Sequence, residues 1–144
     1  KGYLILGKSG TGKSTHTGLW LQQFSDCHLL NDDNPIVHVD SLGKQATVFG
    51  SPWSGKTPCY RKESMTVGAF VRLEQAPQNE IEQERAAHAF ATLLPSCSCL
   101  KQNKEIYNAI VTTVTELATL APVYHLKCLP DREATELCRK AVEG

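Results

Sequence analysis

The sequence lacks a long hydrophobic run and lacks a surplus of charge of either sign. No apolar stretch approaches the ~18–20 residues that span a bilayer, and the run at residues 3–6 is too short for a signal peptide. The 15 basic and 15 acidic side chains balance, so the overall charge does not favour binding to nucleic acid or to a membrane surface. We therefore predict neither kind of partner, although a local basic site is compatible with this balance.

The six cysteines include no C-x-x-C pair, and the chain has no N-glycosylation sequon. Cys97 and Cys99 could form half of a metal site, but no second half with zinc spacing exists. This pattern favours reduced thiols over a disulfide framework or a zinc site. We therefore expect a cytoplasmic protein.

Length and composition indicate one ordinary globular domain. The chain has 144 residues, of which 41% are apolar and 21% are charged, and folding at this length should bury roughly two thirds of the unfolded surface. We therefore predict a single domain over residues 1–144. Because no Met begins the chain and the first residues already resemble a strand, we expect elements upstream of Lys1 to be missing.

Hydrophobic periodicity predicts an α/β fold with a mixed sheet. Short turns between the middle strands favour antiparallel neighbours there. Apolar residues alternate between positions 67 and 73, which indicates a strand. Asn79 and Glu82 have the spacing of a capping box and predict a helix start. The predicted strands cover residues 3–6, 28–30, 36–39, 46–49, 65–73 and 122–126, and the predicted helices cover residues 13–24, 79–94, 106–118 and 130–142.

Residues 7–14 match the pattern G-x-x-x-x-G-K-[ST] of the phosphate-binding loop, between an apolar strand and a helix. The glycines let backbone N–H groups line an anion nest at the positive end of the helix dipole. Lys13 supplies a mobile charge for the β- and γ-phosphates, and the Ser14 hydroxyl is a hard oxygen ligand for Mg²⁺. Thr15 stands where a dinucleotide fingerprint needs its third glycine, which argues against an NAD site. The predicted nucleotide-binding residues are Gly7, Lys8, Ser9, Gly10, Thr11, Gly12, Lys13, Ser14 and Thr15.

A second match to the same pattern lies at residues 50–57. Pro52 has no N–H to donate to a phosphate, and Trp53 places a bulky ring where the backbone must approach closely, so this match is rejected as the nucleotide cradle. Lys56 and Arg61 nevertheless make the segment basic. It could close over phosphates or hold an anionic substrate, or it could be a solvated loop.

Asp32 and Asp33 follow the helix and a short strand-like run. A phosphoryl-transfer site needs a carboxylate near Mg²⁺ and often a base for the attacking hydroxyl. The alternative is an Asx turn before Pro35. The sequence singles out no second metal-binding carboxylate among the downstream acids, and Glu74 is expected to be a surface charge. His16 could approach the nucleotide, although a surface position is favoured.

The loop at residues 7–15 and the acidic pair within residues 29–33 together resemble the HPr kinase/phosphorylase and phosphoenolpyruvate carboxykinase superfamily. Segments 70–75 and 123–126 are also similar to HPr-kinase-like domains. The resemblance implies a P-loop domain that binds ATP with Mg²⁺ and transfers a phosphoryl group to a hydroxyl. By position it implies phosphate binding by Lys13, metal binding by Ser14 and proton acceptance by Asp33, with Asp32 beside the metal.

These features predict a kinase that transfers the γ-phosphoryl of ATP to a protein serine or a small-molecule hydroxyl, with Lys13 and Asp33 as catalytic residues. One alternative is a carboxykinase-type enzyme, which predicts oxaloacetate-dependent ATP consumption. Another is a non-catalytic ATP-sensing module, which predicts nucleotide-dependent assembly without hydrolysis. The expected partners are the nucleotide and the phosphoryl acceptor, and a homo-oligomer is compatible with the sequence.

Overall fold

A computed structural model describes residues 2–7, 12–27, 36–40, 45–49, 64–96 and 104–143. The predicted strand at residues 28–30 lies outside these ranges. Within them, six strands and four helices form an α/β fold. In chain order they are β1 (Gly2–Leu6), α1 (Lys13–Gln23), β2 (Ile36–Asp40), β3 (Gln45–Phe49), β4 (Ser64–Gln75), β5 (Glu80–Gln83), α2 (Ala86–Ser96), α3 (Lys104–Leu120), β6 (Val123–Cys128) and α4 (Arg132–Glu143).

The sheet is mixed, which confirms the prediction from the short middle turns. Its centre is parallel, because β4 pairs in parallel with β1 and also with β6. β5 adds an antiparallel strand to β6. The hairpin of β2 and β3 joins antiparallel to the first residues of β4, where Thr47 pairs with Thr66. β4 therefore links the parallel centre to the antiparallel hairpin.

Helices cover both faces of the sheet and create two apolar cores. Successive side chains of a strand point to opposite faces, so Phe70 belongs to one core and Val71 to the other. The first core packs against α2 and α3 through residues such as Leu93 and Leu117. The second packs against α1 and α4 through Trp20 and Cys138, among others. The result is three layers, with helices on both faces of a mixed sheet.

An irregularity in β4 breaks the predicted alternation. The register moves from Gly2 opposite Val67 to Tyr3 opposite Ala69, so β4 carries one extra residue at this point. Such an extra residue reverses the face to which the following side chains point. Val67 consequently lies in the first core, whereas Val71 and Leu73 lie in the second. The predicted strand at residues 65–73 is confirmed as β4, and the extra residue interrupts its alternation.

The helix predicted from residue 79 begins later, at Ala86, because residues 80–83 form β5. Asn79 is not its cap. The Asn79 Nδ2 group donates to Asp131 Oδ1 at 3.1 Å, and its Oδ1 accepts from the Leu129 N–H at 2.8 Å. These bonds tie the start of β5 to the connection between β6 and α4. Tertiary pairing therefore overrides the local capping signal.

The start of α4 follows the prediction. Asp131 Oδ1 accepts from the backbone N–H of Ala134 at 3.0 Å, which is the geometry of an N-cap. The helix packs its buried residues, including Cys138, against the second core. Cys138 was predicted to be a small core residue, and it is fully buried.

Candidate functional site

The carboxyl ends of two neighbouring parallel strands, β1 and β4, form a switch point of the sheet. β1 leads into α1, which packs on one face, whereas the connection from β4 to β6 includes α2 and α3 on the other face. Adjacent parallel strands whose connections leave to opposite faces form a switch point, where open α/β sheets bind their ligands. Leu6 pairs with Arg72, so the switch point lies between the end of β1 and the last residues of β4.

The predicted phosphate loop starts and ends at this switch point. Gly7 follows β1 directly, and α1 begins at Lys13. Gly12 is the N-cap residue, with φ 96° and ψ 21°, a left-handed conformation that favours glycine. Its carbonyl accepts the first helical hydrogen bond, from the His16 N–H at 2.9 Å. Because glycine has no side chain, no N-cap side chain occupies the N–H groups of the first turn, which can face an anion.

The structure brings part of the predicted site together. Lys13, Ser14 and Thr15 form the first turn of α1, and the last two are exposed. An exposed hydroxyl at this position is a hard oxygen donor, so Ser14 fits the chemistry of Mg²⁺. The other predicted site residues lie outside the described residues: Lys8, Ser9, Gly10, Thr11, Asp32, Asp33, Lys56 and Arg61.

His16 is buried, with 2% of its surface exposed, so the prediction of a surface position was wrong. Trp20 lies one helical turn later, and its Nε1–H donates to His16 Nε2 at 3.0 Å. Burial lowers the pKa of His16 to about 4, so the ring is neutral at physiological pH. The Trp20 ring also lies 6.1 Å from that of Tyr3 on β1. His16 therefore helps to pack α1 onto the sheet.

A polar network between the last residues of β4 and the middle of β6 was not predicted from the sequence. His125 contacts Glu74 through Nε2 at 3.1 Å and Arg72 through Nδ1, also at 3.1 Å. The Arg72 Nε–H donates to Glu84 at 3.3 Å, and Thr92 donates to the second Glu84 oxygen at 2.7 Å. The Glu84 side chain is only 7% exposed. These contacts connect the buried Glu84 carboxylate, through Arg72 and His125, with Glu74 near the carboxyl end of β4.

This network fixes the tautomer of His125. An arginine guanidinium can only donate, so the Nδ1 atom that faces Arg72 must accept. The proton of the neutral ring then resides on Nε2, which donates to Glu74. The sequence signal for these contacts is weak, because Arg72 and His125 are 53 positions apart and meet only through the register of β4 and β6.

Other kinds of site find no support in the described ranges. They contain no group of three or more His, Cys, Asp or Glu side chains that could hold a metal. No helix within them is long and apolar enough to cross a membrane. Cys27, Cys128 and Cys138 form no disulfides, and burial raises the pKa of the Cys138 thiol to about 12. These thiols therefore lack the thiolate character of reactive cysteines.

Comparison with known proteins gave no match: no family model, no curated protein and no solved structure matches the chain.

Proposed function

We propose that the chain is an ATP- and Mg²⁺-dependent phosphotransferase with a P-loop domain, similar to HPr serine kinases. The observation that carries this proposal is the passage from β1 through a left-handed Gly12 into α1 at a switch point. Backbone N–H groups and the helix dipole at such a position attract phosphates. The motif at residues 7–14 supplies the matching side chains.

Each site residue has a distinct role in this proposal. Lys13 would bind the β- and γ-phosphates, and Ser14 would hold Mg²⁺ together with Asp32. The ion supplies charge neutralisation on the phosphates when it is bound. Asp33 would accept the proton of the attacking hydroxyl, on a protein serine or a small molecule. The basic segment with Lys56 and Arg61 would contact the phosphoryl acceptor and not the nucleotide. Catalysis would then consist mainly of positioning and electrostatic stabilisation.

The first test is the affinity for ATP, measured by titration calorimetry with Mg²⁺ present. The change Lys13→Ala should reduce this affinity at least about tenfold, because it removes the charge that faces the phosphates. Lys56→Ala is the matched control, since Lys56 occupies the same place in the second, rejected motif. Its ATP affinity should equal that of the wild type. Unchanged affinity in Lys13→Ala would contradict the proposed phosphate loop.

A further inference from the structure

His125 lies between an arginine and a glutamate in the middle of β6. Its side chain is only 12% exposed. The Nδ1 atom is 3.1 Å from a terminal nitrogen of Arg72, and the Nε2 atom is 3.1 Å from Glu74 Oε2. Both partners belong to β4, the parallel neighbour of β6. Each ring nitrogen therefore has a partner, a cation on one side and a carboxylate on the other.

The contact with Arg72 requires the neutral ring. A guanidinium donates hydrogen bonds and accepts none, so the ring nitrogen that faces it must carry a lone pair. An imidazolium has a proton on both nitrogens and has no lone pair. Proton uptake would therefore place an N–H group and a positive charge 3.1 Å from the guanidinium. The contact with Glu74 would become a charge-assisted hydrogen bond, which is the stronger kind. Protonation thus breaks the contact with Arg72 and keeps the contact with Glu74.

Arg72 also binds the junction between β5 and α2. Its Nε–H donates to Glu84 Oε1 at 3.3 Å, and the Thr92 hydroxyl of α2 donates to Glu84 Oε2 at 2.7 Å. The Glu84 side chain is 7% exposed, whereas the Arg72 side chain is 39% exposed. The guanidinium can therefore move into solvent more easily than the carboxylate. Arg72 is the residue through which a change at His125 reaches α2.

Charges of both signs surround the ring. Glu82 of β5 pairs with His125 across the antiparallel ladder. Residues two positions apart in a strand share a face, which places Lys127 on the same side of the sheet. The charged groups that face His125 are Arg72 and Glu74 on β4, Glu82 on β5 and Lys127 on β6. The two cations oppose protonation of the ring, and the two carboxylates favour it.

We propose that protonation of His125 releases Arg72 from β6 and thereby weakens the attachment of α2 to the sheet. Histidine is the side chain that ordinarily changes its charge between about pH 5 and about pH 8, so the contact is sensitive to pH in this range. The inference is independent of the proposed function, because no residue of the phosphate loop takes part. The group that binds is a proton, and the group that moves is the Arg72 guanidinium.

The first experiment follows the side-chain nitrogen signals of histidine and arginine by NMR, from about pH 8 to about pH 5. At the upper pH, His125 should be neutral with its proton on Nε2. As the ring takes up a second proton, the Arg72 Nε–H signal should shift with the same midpoint as the His125 signals. A proton on Nδ1 at the upper pH would overturn the proposal. An Arg72 signal that does not follow the titration of His125 would overturn it as well.

Two variants separate His125 from the other titrating groups. His125→Gln offers an amide oxygen to Arg72 and an amide N–H to Glu74, and it does not titrate. The Arg72 signal should therefore become independent of pH in this variant. His88→Gln removes an exposed histidine of α2 and is the matched control, so it should keep the response of the wild type. A response that persists in His125→Gln would assign the effect to the carboxylates and refute the proposal.

Amide hydrogen exchange measures the effect on α2. The Ala89 N–H donates to the Arg85 carbonyl at 2.8 Å, at the start of the helix. The ratio of its exchange rate in the wild type to that in His125→Gln should rise about three- to tenfold as the pH falls, the value of one hydrogen bond. Taking the ratio at equal pH removes the intrinsic pH dependence of exchange. A constant ratio would contradict the coupling between His125 and α2.

Discussion

Acidification should lower the free energy of unfolding through His16, a buried and neutral histidine in α1. Burial lowers the pKa of this ring from its ordinary value of 6.5 to about 4 in the folded chain. The unfolded chain takes up a proton below 6.5, and the folded chain does so only below about 4. The unfolded state therefore binds more protons between these values. Stability is fully present above pH 6.5 and is lost as the pH falls towards 4.

The size of the effect follows from the gap between the two pKa values of His16. A gap of about 2.5 pH units, at about 1.4 kcal/mol for each unit, corresponds to about 3–4 kcal/mol. Small domains are stable by only about 5–15 kcal/mol in total. One imidazole should therefore remove a substantial part of the free energy of unfolding. The side chain is almost fully buried, so solvent screening does not reduce this figure appreciably.

The assay is urea unfolding at a series of pH values, followed by far-ultraviolet circular dichroism. His16→Gln keeps an acceptor oxygen for the Trp20 Nε1–H and does not titrate. Subtracting the variant from the wild type removes the contribution of the carboxylates. The difference in the free energy of unfolding should change by about 3–4 kcal/mol across the acid range. His88→Gln, on the exposed side of α2, is the control and should follow the wild type. Parallel curves for wild type and His16→Gln would refute the reasoning.

Two further predictions concern helix starts. Asp131→Ala should lower the free energy of unfolding by about 1 kcal/mol, because it removes the N-cap of α4; an unchanged urea midpoint would show that the cap is dispensable. Gly12→Ala should cost about 1–3 kcal/mol through backbone strain alone, since φ is +96° and nothing lies within 4 Å of a Cβ added there. A thermal melt equal to that of the wild type would contradict the left-handed conformation.

Local patterns were sufficient to predict the α/β class, the hairpin of β2 and β3 and the start of α4. They failed at residues 79–85, where Asn79 and Glu82 have the spacing of a capping box. Long-range partners decide the structure there, because β5 pairs with β6 and Asn79 bonds to the loop before α4. A capping box is a local sequence pattern, so it contains no information about the pairing of β5 with β6, which lies more than 40 positions away.

The candidate site was predictable only where its residues are adjacent in sequence. The glycines, Lys13 and Ser14 form one motif, and the structure places the described members at the end of β1 and the start of α1. The contact between His125 and Glu74 depends instead on the register of two strands. The burial of His16 depends on how Trp20 packs against Tyr3. Neither relation has a local signature.

The most direct test of the central claim is to map Mg²⁺–ATP on the chain by amide chemical shifts. If the first turn of α1 binds the phosphates, the N–H signals of Gly12, Lys13 and Ser14 should shift most on titration. Signals from the far end of α1 and from α4 should change little. Phosphate binding at this turn is contradicted if these three amide signals do not shift, or if the largest shifts lie on α4.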